Sequence, residues 1–294
     1  MYLQDPYTIT YKGIYAVASK DNDLVEIIEH SSCYGGSAWA LYHYSKSPLV
    51  VDSKAVGDMI RYLVRTGTKP LDLRASVAAA GIESVVVNDK EIEITYVGLG
   101  GGGVGATTCR AYASGVIRCS ISESGGGKLA KGTIVLPRRE RVLVGIDNTD
   151  SKEKGATWSL AHNIGNAVDG IQHKYISHTL VQLYPVPEKT QNCVATVLEF
   201  ACVEGAKKQL LEKIKEGLEE YTLSEETGMV ALSDFDASSL IEYSKLCRSR
   251  MITKELALET ANKCGVEICI HGKGIIGALA ALPWFSRHDE SVIV

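Results

Sequence analysis

Across its 294 residues the chain has no Cys-x-x-Cys pair and no G-x-x-x-x-G-K-[ST] loop. It also has no apolar run of the roughly 20 residues that a bilayer-crossing helix needs. The first absence removes the usual zinc and redox spacings. Cysteines 33, 109, 119, 193, 202, 247, 264 and 269 lie mostly in apolar strand-like or helical runs, so buried thiols in a reducing compartment are expected. The second absence denies Gly125-Gly126-Gly127-Lys128 a Walker reading, because Leu129 stands where Ser or Thr is required. The third leaves no membrane-crossing helix to expect. The opening residues Met1-Tyr2-Leu3-Gln4-Asp5-Pro6 do not have the charged-then-apolar layout of a secretion signal, and a cytoplasmic location is expected. An excess of positive charge is absent as well. With 31 Lys and Arg against 35 Asp and Glu, the net charge of −4 argues against nucleic acid or anionic membrane as a partner. The expected partner is a small molecule or another enzyme. A local basic patch and a homo-oligomer both stay open.

What is present describes a globular protein: 45% apolar residues, 22% charged residues and 28 glycines, in a length sufficient for two domains. Pro137-Arg138-Arg139-Glu140-Arg141 is the boundary candidate, a charged, proline-led segment near the middle. It gives an α+β domain at 1–136, a linker at 137–141 and a second domain at 142–294. In the first domain, strand-like runs at 7–18, 24–30, 83–87 and 91–97 surround helical stretches near 35–45 and 53–66. In the second, a strand at 142–147 leads to a helix at 156–169, alternating runs at 174–184 and 192–202, a helix at 205–221 and a strand at 228–232. That β-α-β-β-α-β order is the order of a ferredoxin-like core. Helices at 236–249 and 253–263, then a strand at 266–271, a glycine loop and a last helix, extend it.

The residues with most chemistry end the strand at 142–147. Val144-Gly145-Ile146-Asp147-Asn148-Thr149-Asp150-Ser151 delivers two carboxylates, an amide and two hydroxyls to one edge, and Gly155-Ala156-Thr157 follows. Asp147 and Asp150 suit a hard cation such as Mg²⁺, which favours carboxylates, water and nucleotide phosphates. The hydroxyls of Thr149, Ser151 and Thr157 would then lie near phosphate. The same residue types also start helices, so a cap is the competing reading. Trp158, one residue into the helix, is expected in the core.

Two glycine-rich segments add candidates. Gly272-Lys273-Gly274-Ile275-Ile276-Gly277 follows a strand and opens a helix, as an anion-holding loop does. No acidic strand follows it, so a dinucleotide fold is excluded, and a loop of small residues for tight helix packing is the alternative. Gly98 to Gly105 holds six glycines in eight residues, and suits either a backbone path closed to other residues or a ligand loop. His173 and His178, five apart on a strand-like run, are expected on opposite faces and not on one metal.

Gly145 to Ser151, Thr157, the Pro187-Glu188-Lys189-Thr190 turn, Gly228 and Gly272 to Ala281 occur in the order found in a known domain. Residues 142–283 resemble the ATP-dependent kinase-like domain of archaeal isoleucine tRNA agmatidine synthase. Over its whole length the chain resembles the methanogenesis marker protein 11 family. The first resemblance implies ATP with Mg²⁺ on Asp147 and Asp150, a phosphate-contacting or acceptor hydroxyl at Thr157, and Lys189 or Lys273 facing phosphate charge. It also implies that Gly145, Asn148, Thr149, Ser151, Gly155, Thr190, Gly272, Gly274 and Gly277 line the site. The synthase has a third aspartate where this chain has Asn148, and a cysteine where it has Ala156. Its tRNA-handling modules find no match, which adds to the expectation against tRNA. The activity expected is a Mg²⁺- and ATP-dependent phosphotransferase or ATPase linked to methanogenesis. The alternatives are a non-catalytic assembly or maturation factor that keeps the nucleotide site, or a small-molecule enzyme that uses the 98–108 loop.

Overall fold

A computed structural model describes residues 1–293. It is a mixed α+β structure whose backbone divides into two compact units, Met1–Arg139 and Glu140–Val294. Among the described residues no helix is long and apolar enough to cross a membrane.

In the first unit, β1 (Gly13–Ala18), β2 (Leu24–His30), β3 (Val50–Val56) and β4 (Met59–Arg65) form an antiparallel sheet in the order β1-β2-β4-β3. Helix α1 (Tyr34–Tyr44) connects β2 to β3. A second sheet has the order β5-β6-β7-β9-β8, formed by β5 (Gly67–Thr68), β6 (Ala80–Val87), β7 (Glu91–Leu99), β8 (Arg118–Ile121) and β9 (Leu129–Pro137). Short helices α2 (Gly101–Ala106) and α3 (Thr108–Ala111) lie between β7 and β8. The core of this unit encloses an ion pair in which Arg110 donates to both oxygens of Glu29 at 2.7 and 2.8 Å. Tyr11, Tyr44 and Tyr96 ring its guanidinium at 4.3 to 4.8 Å. The pair satisfies charges that would otherwise be buried alone.

Two expectations for this unit fail for identifiable reasons. Residues 53–66 are not helical but form most of the β3–β4 hairpin, which turns at Gly57 with φ +60. Ile60, Tyr62 and Val64 alternate inward, as a strand requires. Arg61 lies between them on the opposite face, also buried and paired with Glu26 at 2.9 Å, and the apolar Met59 and Leu63 on that face blur the period of two. The glycine run after β7 is mainly helical, and of Gly100 to Gly105 only Gly100 takes a left-handed φ, +55. Its glycines serve close approach instead. A Cβ on Gly98 would overlap the carbonyl of Gly102, and one on Gly103 would crowd the Ala130 side chain.

The second unit begins within β10 (Arg139–Asp147), followed by α4 (Thr157–Ala167), β11 (His173–Gln182), β12 (Val194–Val203), α5 (Lys207–Tyr221) and β13 (Gly228–Leu232). Then come α6 (Ile241–Ser249), α7 (Lys254–Lys263), β14 (Glu267–His271), α8 (Ile275–Ala281) and α9 (His288–Ser291). The strand order is β11-β12-β10-β13-β14. Both faces of this sheet are covered. Val142, Val144 and Ile146 of β10 pack with Ala161 and Ile164 of α4 and with Leu210, Ile214 and Leu218 of α5. Leu143 packs on the other side, with residues of α6, α7 and α8. Burial on both faces explains why β10 reads as a continuous apolar run.

The segment 137–141 is not a free linker. Pro137 ends β9 and Arg139 starts β10, so only Arg138 lies outside a strand. Arg141 is buried and donates to Glu199 at 2.9 Å, which makes it part of a core and not a solvated hinge. The histidine faces also differ from expectation. A bulge between Tyr175 and Ser177 shifts the register, so His173 faces Cys202 and His178 faces Leu198, four apart on β12 and therefore on one face. All eight cysteines are free, and two, Cys202 and Cys247, are buried.

Candidate active site

Strand β10 sets the geometry. Since Leu143 faces α8, the alternation of the strand sends Gly145 and Asp147 to the same side. A Cβ on Gly145 would overlap the carbonyl of Ala278, and one on Gly228 would overlap the backbone N of Ile275. The missing side chains let α8 lie directly on β10 and β13. A Cβ on Gly277 would overlap Oδ2 of Asp147, so the carboxylate at the end of β10 rests on the helix backbone.

The chain then turns sharply at Asn148, which has a left-handed φ of +62. Asparagine takes this conformation more readily than other residues with a side chain. Asn148 N–H donates to Oδ1 of Asp147 at 2.8 Å, and its Nδ2 donates to the carbonyl of Glu226 at 3.3 Å. Asn148→Ala is expected to cost about 1 kcal/mol through the lost left-handed preference. Asn148→Gly should lie close to the parent in thermal unfolding; equal losses in both variants would show that the backbone conformation is not the cause.

Beyond the turn, Thr157 Oγ1 accepts from Thr149 N–H at 3.0 Å and from Thr149 Oγ1 at 3.1 Å, and donates to Asp150 Oδ1 at 3.4 Å. Thr190 Oγ1 donates to the same oxygen at 2.7 Å. Asp150 and Thr157 are both buried. The Pro187–Thr190 turn therefore reaches the β10 edge through Thr190. Gln191 holds the loop between β10 and α4 by donating to the carbonyls of Ser151 at 3.0 Å and Gly155 at 2.9 Å. The hydroxyl of Ser151 accepts from the amides of Glu153 and Lys154, each at 3.2 Å, and so closes its own turn.

Asp147, Asn148, Asp150, Thr157, Thr190 and Gln191 border a cavity of about 680 Å³ lined entirely by the second unit, whereas Gly145, Thr149, Ser151, Gly155 and Gly272, expected at the site, are not among its lining residues. Asp147, Asp150, Thr157 and Thr190 lie on its polar side. Lys189, Arg250, Lys254 and Lys273 supply cations, and Leu183, Tyr184, Val186, Met251 and Ile252 supply apolar wall. Burial pushes the carboxyl of Asp147 up to about 7; the Asn148 amide opposes this and the nearby Asp150 adds to it. The residue as a whole is half-buried, but its carboxyl is the part packed against α8. A buried acid raised partly by a second acid fits a site for a hard cation. Both donors are oxygen, as Mg²⁺ prefers. Among the described residues no group of three or more His, Cys, Asp or Glu is placed to hold a metal, so two carboxylates would need phosphate and water to complete a coordination shell.

Three sequence expectations need correction. The loop at 272–274 does not offer free amides: Gly272 N–H donates to Thr227 O, Lys273 N–H to a carboxylate oxygen of Glu226, and Gly274 N–H to Glu226 O, at 2.7 to 3.0 Å. Its glycines serve packing, and Gly274 and Gly277 also border the cavity together with Lys273, whereas Gly272 does not. A Cβ on Gly272 would overlap Glu226, and one on Gly274 would crowd the backbone of Asp147 and Gly228. The Thr157 hydroxyl already has three partners, which makes it an anchor for Thr149 and Asp150 instead of a free acceptor. Trp158 is not in the core; it is 49% exposed and lines the cavity. Arg250, Met251 and Lys254 escape a reading of the sequence. Their signal is faint, a charged and aliphatic junction between two helices.

The same C-terminal region matches the family model described as the TiaS TCKD domain, over residues 143–272. Over 290 residues the chain is 40% identical to "Uncharacterized protein MJ0921" of Methanocaldococcus jannaschii, with 96% of each sequence covered. The chain belongs to the MJ0921 family. Solved structures that resemble it include a complex of TiaS with its isoleucine tRNA and ATP, at 28% identity and a TM-score of 0.45, covering 49% of this chain and 36% of that one. A complex of TiaS with the same tRNA, AMPCPP and agmatine matches at 26% identity and a TM-score of 0.43, with 49% and 36% covered. The chain thus spans about a third of the length of these structures.

One correction concerns partners. The net charge argues against nucleic acid, and the match to a domain of TiaS removes that exclusion. Net charge averages over a whole surface, whereas recognition uses local fields. The cavity itself is mixed in charge, with Asp147, Asp150, Glu188, Glu226 and Glu255 beside Lys189, Arg250, Lys254 and Lys273.

Proposed function

We propose that residues 140–294 form a kinase-like domain that binds ATP with Mg²⁺ and transfers or hydrolyses its terminal phosphate. The observation that carries this reading is that Asp147, Asp150, Thr157 and Thr190 border one cavity, with Thr157 and Thr190 both bonded to Asp150 and with Lys189 and Lys273 also in the lining. Asp147 and Asp150 hold the cation. When bound, Mg²⁺ supplies charge neutralisation for the phosphates. Lys189 and Lys273 face the remaining phosphate charge; among the described residues neither makes an ion pair. Thr157 and Thr190 position the Asp150 carboxylate. The domain match to TiaS TCKD supports nucleotide use, and TiaS itself has been solved with ATP and with AMPCPP.

The strand order β11-β12-β10-β13, with α4 and α5 sharing one face, supports a ferredoxin-like core for this domain. Residues 1–136 would recognise the acceptor or partner. A place in methanogenesis rests on the resemblance to the marker protein 11 family, and the relative from Methanocaldococcus jannaschii agrees with it. The acceptor class includes RNA, because the matching domain is that of TiaS, a protein solved in complex with tRNA.

A second reading keeps the nucleotide as a switch in a non-catalytic maturation factor. Asn148 favours it, since an amide stands where the synthase carries a third carboxylate. Phosphate release from ATP with Mg²⁺, measured for the parent and for an Asp147→Ala, Asp150→Ala double variant, separates the two. Turnover lost in the double variant supports the enzyme; equal background rates in both proteins support the switch.

A further inference from the structure

The chain has three tryptophans, and their surroundings differ. Trp284 is buried, donates to Ser244 Oγ at 2.6 Å, and lies under the guanidinium of Arg248 at 4.1 Å. Trp39 stacks on His43 with ring centroids 4.0 Å apart. Trp158 has neither kind of partner: among the described residues no ring and no cation packs on its indole. It is 49% exposed, yet it borders the cavity and does not stand on an open surface. Its position is fixed by the start of α4, where the preceding residue, Thr157, is buried and tied to Asp150 and Thr149.

A large aromatic surface left wet is costly, and indoles at such places are enriched where a planar partner arrives. In the same cavity, Val186, Met251 and Ile252 supply apolar lining that no phosphate would use. The polar and apolar parts of the cavity therefore ask for a ligand with one anionic end and one flat, weakly polar end. A nucleotide has that shape.

We propose that Trp158 is the base-stacking platform of this cavity, a specificity-determining side chain that takes the purine ring of the nucleotide. The proposal rests on the nucleotide reading above and adds where the base lies. Stacking of a base on an aromatic ring is worth about 1–3 kcal/mol, or roughly 5- to 150-fold in affinity. Since phosphates alone have no π-face, this increment should be confined to ligands that carry a base.

Calorimetric titration of the full chain with ATP and with inorganic tripolyphosphate, each with Mg²⁺, provides the test. In Trp158→Ala, ATP affinity should fall roughly 5- to 150-fold while tripolyphosphate affinity stays at the parent value. Trp158→Phe, which retains a ring, should recover most of the ATP affinity. Parent-like ATP binding by Trp158→Ala would overturn the stacking role and leave the nucleotide reading standing. Equal weakening of ATP and tripolyphosphate would also overturn it, since it would show a general support role. A parent protein that binds tripolyphosphate but no nucleotide more tightly would overturn the nucleotide reading itself, and the stacking role with it.

Discussion

Replacing Asp147 by Asn is expected to stabilise the metal-free protein at neutral and higher pH while removing the proposed ATP turnover. The folded-state carboxyl titrates at about 7, against about 3.9 for an unperturbed Asp. Between those values the native state holds a proton that the unfolded chain has lost. Stability therefore falls as pH rises from about 4 to about 7, and is level above that, with a total span of at most about 4 kcal/mol. The amide introduced in Asp147→Asn would keep an acceptor for the Asn148 N–H and carry no charge to bury. The variant should then unfold at a higher temperature than the parent at pH 8, with the gap closing toward pH 4. With ATP present, added Mg²⁺ should raise the parent's unfolding temperature further but not the variant's. A gap that does not change with pH would contradict the assignment of the raised pKa to Asp147. For turnover, loss of the carboxylate should cost on the order of 10²- to 10³-fold, as removal of one preorganised charge-stabilising group does.

Gly145→Val should act on folding more than on chemistry. Its Cβ would overlap the Ala278 carbonyl, a backbone atom that cannot rotate away. Separating β10 from α8 enough to admit the side chain would open the core around Leu143 and Ala278. Overpacking of this kind costs typically 1–3 kcal/mol and at a backbone contact about 3 kcal/mol or more. For a unit of this size, a fall in unfolding temperature of roughly 6–12 °C follows. Thermal unfolding followed by circular dichroism would check it. An unfolding temperature within about 2 °C of the parent would mean that the two backbones are not in contact at Gly145 and Ala278.

Much of the second unit can be read from the chain because its signals are local. Gly228–Leu232 is a strand with the bounds expected, and of the helical stripe Leu210, Leu211, Ile214, Leu218 and Tyr221 the first four are buried on α5 while Tyr221 is exposed. The first unit is less legible where both faces of a strand carry apolar residues. Met59 and Leu63 share the face of Arg61, so the alternation of Ile60, Tyr62 and Val64 is blurred and the hairpin looks helical. The bulge that places His173 and His178 on one face also leaves no trace in spacing alone.

The site shows the same limit. That Asp147, Asp150 and Thr157 share a strand end is visible in the sequence, because they lie within a few residues of one another. The bond from Thr190 to Asp150 spans 40 positions and is suggested only by motif order. The reverse error arises at 272–274, where glycine spacing matches an anion loop. Each of its three amides has a protein acceptor in the fold, and packing of α8 on β10 explains the glycines. Trp158 escapes prediction because helical position alone does not say which face of α4 meets solvent.

Asn148 unites these threads. The left-handed turn at this residue places Asp147 and Asp150 on the two sides of one backbone reversal. An amide tolerates that conformation and donates to Glu226. The turn thus has a structural reason for asparagine that is independent of the metal, and two carboxylates with nucleotide phosphates suffice for a Mg²⁺ site.

The most direct test of the central claim is calorimetric titration of ATP into the parent chain and into Asp150→Asn, each with and without Mg²⁺. Binding by the parent should strengthen at least roughly tenfold when Mg²⁺ is present, about 1.4 kcal/mol, and the Mg²⁺ effect should disappear in Asp150→Asn. ATP binding that is equal with and without Mg²⁺, or no binding by the parent under either condition, would contradict a nucleotide-metal site at the end of β10.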